Sequence, residues 1–317
     1  MFNLVRNEQM KLFLQKSTWA MLIALVLMAF FGVFLTKPDS DEVKYTDANW
    51  RTILEKENKK IEKNLKDPET QADEQYYQYV MQDYEVNEYY LKNDIMPLNY
   101  GAWQYVLDGK GFLPLLSLLT IIVAAGIVAN EYRWGSIKLL LIRPITRTKI
   151  LLSKYLSVLL FALIGLALFM IVAWIAGAIF AGVDGLNPKV AVYTDGKVVY
   201  DSIIARVFED YGFKLVNLVM MATFAFAIST LFRNSALAIG ISIFLMMAGS
   251  SIIVFLMEKS WAKYILFANT DLTQYTTGVP IFKGTTLGFS ITVLLVYYVI
   301  FVVVSWLSFT KRDVAGS

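Results

Sequence analysis

The chain contains no cysteine and no histidine. Without cysteine there is no thiolate nucleophile, no disulfide and no iron–sulfur cluster, and no thiol to report a redox compartment. Without histidine there is no imidazole base, no haem ligand and no His-containing zinc site. No G-x-x-x-x-G-K-[ST] run occurs, so that phosphate-cradling loop for ATP is missing too. Charge is also scarce. Only 17% of the 317 residues are charged, while 57% are hydrophobic. A soluble domain carries about 25% charged and about 45–50% apolar residues, so the composition points to a lipid solvent.

The scarcity is local. Six runs hold no Asp, Glu, Lys or Arg: Ser17–Thr36, Phe112–Asn130, Tyr155–Gly182, Leu215–Phe232, Ala236–Met257 and Gly288–Phe309. Each meets or nearly meets the ~20 apolar residues that a helix needs to cross the hydrocarbon core. A charge at mid-bilayer costs at least about 2.5–3.5 kcal/mol, so this segregation predicts an all-α membrane protein with six transmembrane helices. The segments 1–16, 131–154, the Arg233 turn and the tail 310–317 carry a net charge of +9, whereas 37–111, 183–214 and 258–287 carry −6, −1 and +1. Basic loops stay inside, so both termini are expected to be cytoplasmic. The first run is too long for a signal-peptide core and ends without an A-x-A-like site, so it reads as a retained anchor.

Between the spans, residues 37–111 read as an extracellular helical hairpin. Trp50, Ile53, Leu54, Ile61 and Leu65 repeat at helical spacing, Asp67-Pro68-Glu69 breaks the run, and Tyr76, Tyr79, Val80, Tyr84 and Leu91 are the inner-face candidates of a second helix. Asp39-Ser40-Asp41-Glu42 lacks the spacing and glycine of a calcium loop, so no metal site is expected. Val190–Tyr200 around Asp195-Gly196 reads as a β-hairpin. Residues 258–287 read as an extracellular or re-entrant segment with a broken helix. Residues 1–16 read as a cytoplasmic interfacial helix, with Phe2, Val5, Leu12 and Phe13 toward lipid and Glu8 interrupting that face.

The segment 131–154 is the most informative. A short amphipathic helix is expected after the second span, with Trp134, Ile137 and Leu141 on one face and Arg133 and Lys138 off it. Pro144 stops that helix, Thr146 caps the next, and Lys149 and Lys154 reach for headgroups. The result is a basic cytoplasmic knob between two spanning helices, able to anchor on anionic lipid or to dock on a soluble partner.

The run Glu131-x-x-x-Gly135-Ser136-Ile137-Lys138-x-Leu140-Leu141, followed by Pro144-Ile145-Thr146-Arg147-x-x-Ile150-Leu151-x-Ser153-Lys154, resembles the coupling region of the ABC type 2 transporter permeases. The resemblance implies a permease subunit with no catalytic residue and no cofactor of its own. ATP and Mg would be held by a separate ABC ATP-binding subunit. It implies a second permease copy or paralogue, a bacterial cell membrane and the lipid bilayer as surroundings, with no nucleic acid partner. Tyr132–Arg143 would be the coupling helix, Gly135 would allow close docking, Lys138 and Arg143 would meet ATPase side chains, and Glu131 and Arg147 would brace the helix ends. Arg133, Ser136 and Pro144 complete the coupling set. Cargo would be hydrophobic or amphiphilic (a peptide, antibiotic or lipid-like compound) and would move outward, as in multidrug or antimicrobial peptide resistance.

The spans lack the intramembrane acid or base that ion-coupled carriers keep, so energy is expected to enter from outside the bilayer. Polarity along a pathway is limited to hydroxyls such as Thr120, Thr223, Ser229, Ser242, Ser250 and Ser251, most of them expected to bond their own backbone. Small residues four apart, Ala125/Ala129 and Ala173/Gly177/Ala181, mark helix contact faces. The rival reading is a membrane sensor or scaffold whose extracellular hairpin recognises a peptide.

Overall fold

A computed structural model describes residues 1–36, 44–72, 74–137, 144–183, 185, 187–194, 196–276, 278 and 280–311. The Asp39–Glu42 cluster, Lys138 to Arg143, Asp195 and the tail from Arg312 lie outside the described residues.

Five helical stretches are long and apolar enough to cross a bilayer: Ala102–Arg133, Arg147–Phe180, Ile203–Phe232, Ser235–Phe255 and Leu287–Lys311. A sixth is reached if the bent pair Phe2–Leu14 and Lys16–Gly32, which meet at 75°, counts as one span. The protein is therefore an all-α membrane protein in its main body. We number the helices α1 (Phe2–Leu14), α2 (Lys16–Thr36), α3 (Trp50–Leu65), α4 (Pro68–Ala72), α5 (Glu74–Asn93), α6 (Ala102–Gly109), α7 (Leu113–Arg133), α8 (Arg147–Phe180), α9 (Ile203–Phe232), α10 (Ser235–Phe255), α11 (Leu266–Asn269) and α12 (Leu287–Lys311).

The helices run past the uncharged stretches at several ends. α8 begins at Arg147, two turns before Tyr155, and α9 begins at Ile203, three turns before Leu215. Backbone hydrogen bonding does not stop where hydrophobicity stops, and Thr146 caps α8 by accepting from the Lys149 N–H. The extra turns carry the charges that the apolar middles exclude. At one end of the bundle Asp210, fully buried, pairs with Lys110 and lies 3.7 Å from the Arg206 Nε. At the other end Glu8, Glu131 and Lys154 are buried together.

Packing inside the bundle uses the small residues. A Cβ on Gly177 would lie 2.8 Å from the Ala102 Cα and 2.9 Å from the Tyr105 Cβ, so only glycine lets α6 lie against α8. Tyr105 then donates its hydroxyl to the Ala29 carbonyl of α2 at 2.5 Å. On α7, Ser229 of α9 donates to the Ala125 carbonyl at 2.6 Å and accepts from the Ala129 N–H at 3.3 Å.

The hairpin of α3 and α5 is joined to the β-hairpin of β1 (Lys189–Thr194) and β2 (Lys197–Ser202), whose antiparallel register closes at Thr194 opposite Lys197. Trp50, Leu54, Tyr90 and Ala191 share one buried cluster, and the Ala191 N–H donates to the Tyr90 hydroxyl at 2.7 Å. Burial pushes the Tyr90 phenol above its usual range. Val80 is buried as expected, but Tyr76 and Tyr79 face outward. The inner face turns instead through Asn87, whose amide donates to Asn58 at 3.0 Å, with Asn58 donating to Glu88 at 3.3 Å. This polar ladder carries no hydrophobic periodicity, which is why spacing misplaced the stripe.

Enlarging Gly177 tests the close approach of α6. Gly177→Val is expected to cost about 1–3 kcal/mol as overpacking, seen as a lowered unfolding midpoint in detergent, while Gly165→Ala, whose nearest neighbour is the flexible end of Leu116, is expected to cost less. Equal midpoints for the two variants would contradict this packing.

A candidate site at the elbow between α7 and α8

α7 ends at Arg133, so Tyr132 and Arg133 form its last turn rather than the start of a separate helix. The chain then turns at Gly135, with φ at +69° and its N–H bonded to the Tyr132 carbonyl at 3.1 Å. Left-handed backbone at a helix C-terminus favours glycine, so Gly135 has a conformational reason to be there. A Cβ at that position would meet nothing within 4 Å. Trp134 is 62% exposed and Ile137 only 2%. The two therefore do not share the single face expected of them, because the turn at Gly135 separates them. Arg133 is exposed and its guanidinium lies 5.6 Å from the Trp134 ring.

Beneath this exposed step lies a closed charge node. The Lys154 ammonium of α8 lies 2.8 Å from Glu8 of α1 and 2.9 Å from Glu131 of α7. The Lys11 ammonium lies 3.1 Å from each of the same carboxylates. The charges alternate around the ring and sum to zero. Ser136 donates its hydroxyl to the second oxygen of Glu131, so the residue just after the turn is held to the same base. Lys154 has a fully buried side chain. It does not reach for headgroups, because the uncompensated cost of burying its two carboxylate partners would be several kcal/mol per ion. Glu8, read from sequence as a flaw in an amphipathic face, is the anchor of that face. Leu12 is likewise buried against the bundle rather than turned to lipid. Gln9 adds a hydrogen bond from its amide to the Ser157 carbonyl at 2.8 Å.

The other expected residues divide. Arg147 donates to the Thr310 carbonyl at 3.0 Å, tying the start of α8 to the end of α12, and the structure joins it and Glu131 to different partners. Pro144 precedes the Thr146 cap. Lys138 and Arg143 lie outside the described residues. Sequence reasoning missed Arg233. It adopts a left-handed conformation, φ +55°, in the turn between α9 and α10, and its guanidinium sits 4.6 Å from the Tyr132 ring. A further basic side chain thus reaches the elbow from a distant part of the chain.

Of the pathway hydroxyls, Thr120 donates to the Leu116 carbonyl at 2.8 Å and Thr223 to the Val219 carbonyl at 2.6 Å, as expected of serines and threonines in spanning helices. Ser229 crosses to α7 instead. Ser242 is buried with no hydrogen-bond partner among the described residues, whereas Ser250 and Ser251 are exposed on the outside of α10. The six are not brought together. Thr223 lines a cavity of about 170 Å³ with Leu151, Tyr155, Phe226 and Trp306.

A family described as "Protein of unknown function (DUF2705)" matches residues 72–315. The chain belongs to the DUF2705 family. The match to this family takes in the elbow and every helix from α5 onward, and leaves out α1 with Glu8 and Lys11. Over its full length the chain is 40% identical to a Bacillus subtilis (strain 168) protein named "Uncharacterized protein YhcI", covering 100% of both. It is 38% identical over 204 residues to "Uncharacterized membrane protein YdbK" of the same organism, covering 63% of this chain and 78% of that one. The second name agrees with the apolar helices described above.

Removing one member of the node tests its closure. Lys154→Met leaves two buried carboxylates facing each other and is expected to cost about 3–5 kcal/mol, read by denaturant unfolding in detergent. Lys11→Met removes a partly exposed cation and is expected to cost about 1 kcal/mol or less. The double variant Glu8→Gln/Lys154→Met is expected to recover part of the Lys154→Met loss; additive losses would show that the four groups do not act as one.

Proposed function

We propose that this chain is the membrane-spanning permease subunit of an ABC transporter, with six spans, both termini cytoplasmic, in a bacterial cell membrane. It is not itself an enzyme: a separate ATP-binding subunit hydrolyses ATP with Mg, and a second copy or paralogue completes the pathway. The observation that carries this reading is the exposed step Arg133-Trp134-Gly135 standing on a buried, neutral and multiply bonded base. An aromatic and an arginine side by side are the residues that most often dominate protein–protein binding. Here they stand where one docked partner would push on α7 through its last turn and on α8 through Lys154. The uncharged middles of the spans favour the same reading, since they hold no group for coupling an ion gradient. The cargo is then hydrophobic or amphiphilic and moves outward.

Co-expression with the ATP-binding protein encoded nearest to this gene, followed by reconstitution into vesicles, tests the proposal. The two chains are expected to co-purify and to show ATP-dependent flux of an amphiphilic probe. Trp134→Ala and Arg133→Glu are expected to lower that flux more than tenfold with membrane insertion unchanged. Full flux from this chain alone, or an elbow accessible from outside intact cells, would overturn it. Gly135→Asn, which tolerates the left-handed turn, is expected to retain more flux than Gly135→Leu.

A further inference from the structure

A cavity of about 180 Å³ lies beside the charge node, between α1, the start of α2 and the end of α7. Its character changes along its length. One end is walled by Glu8, Lys11, Gln15, Thr18, Asn130 and Glu131, the other by Met21, Ile122, Val123 and Ile127. The two ends of the α7 wall, Glu131 and Ile122, are nine residues apart, which is about 13 Å along a helix. The cavity is therefore polar where the helices carry charge and apolar where they enter the uncharged stretch.

Three features of the polar end favour an anion. α2 begins at Lys16, and its first turn, through Ser17 and Thr18, lines the cavity, so the positive end of a 21-residue helix faces it. Lys11 is 41% exposed and lines the same space, with three donors on its ammonium and two carboxylate partners. Thr18 is 1% exposed and its hydroxyl has no hydrogen-bond partner among the described residues. A buried hydroxyl without a partner costs about 1–3 kcal/mol, and this one belongs to a residue that lines a cavity. Glu8 and Glu131 line this end as well, but each is paired with both Lys11 and Lys154, so the four-charge node is neutral.

We propose that this cavity binds one membrane phospholipid, with its phosphodiester on Thr18, Lys11 and the α2 N-terminus and the upper part of an acyl chain against Met21, Ile122 and Val123. The apolar half of the cavity selects a lipid over free phosphate. The occupant lies against the residues that hold the elbow in place, so the lipid completes the base on which the exposed step stands. This inference rests on the membrane placement of α2 and α7 and not on the permease reading, and its test uses no ATPase and no transport.

The full chain is extracted from phosphatidylglycerol-containing vesicles and examined by native mass spectrometry, and phosphatidylglycerol affinity is then measured by titration into the delipidated protein. One retained phospholipid per chain is expected. Thr18→Val removes the hydroxyl while keeping the shape. It is expected to weaken phospholipid binding about tenfold and to leave the unfolding midpoint of the lipid-free protein unchanged or raised. Met21→Trp fills the apolar end and is expected to displace the lipid without touching a polar group. Inorganic phosphate at millimolar concentration is expected not to compete. Unchanged retention in both variants, or full competition by inorganic phosphate, would overturn the proposal.

Discussion

Charges excluded from the hydrocarbon must be placed somewhere, and in this chain they are paired at the two ends of the helix bundle. The node of Glu8, Lys11, Glu131 and Lys154 has the most partners. Each carboxylate bridges two ammonium groups and each ammonium bridges two carboxylates, so removing the buried Lys154 leaves both carboxylates short of a partner. α1, α7 and α8 meet there because of it. The turn at Gly135 inherits its position from the same ring, through the Ser136 hydroxyl on Glu131. At the opposite end Asp210 plays a similar part with Lys110 and Arg206, and there it joins the short stretch after α6 to α9.

The apolar parts of the fold depend on shape rather than on charge. Lipid tails offer no less hydrophobic contact than another helix does, so close approach of backbones decides which helices associate. Gly177 against Ala102 and Ser229 against Ala125 are the two clearest instances. α12 and α10 lack such sites along most of their length and show broad exposed apolar faces, including Phe244, Met247, Leu295 and Val299.

Much of this was legible in the sequence. Five of the six uncharged runs fall in helices long enough to cross, and the spacing of Trp50 and Leu54 places the buried side of α3. The Asp-Gly signal marks the β-hairpin. The node was not legible as such, since Glu8 and Lys154 are 146 positions apart and no local pattern joins them. A signal existed nonetheless: Glu8 and Glu131 are the only acids in two strongly basic segments, and an isolated acid among cations is a natural partner for a buried one. The helix ends were misplaced for a related reason, because hydropathy reports where a helix is apolar and not where its hydrogen bonding ends. The outward Tyr76 and Tyr79 show the same limit in the hairpin, where an asparagine ladder takes inner positions that an apolar stripe would have filled.

α8 is one unbroken helix of 34 residues, about 51 Å long, against a hydrocarbon thickness of about 30 Å. Its lower end is clamped by Lys154 and Arg147 and its upper end is wedged against α6 through Gly177. A rod held this way has little freedom to bend, so displacement at one end must appear at the other. Tilting it by about 5° would swing the far tip by about 4 Å, enough to unseat a glycine contact that leaves no room for a methyl group. A small nudge below the bilayer would thus be felt at the root of the tyrosine-rich hairpin above it.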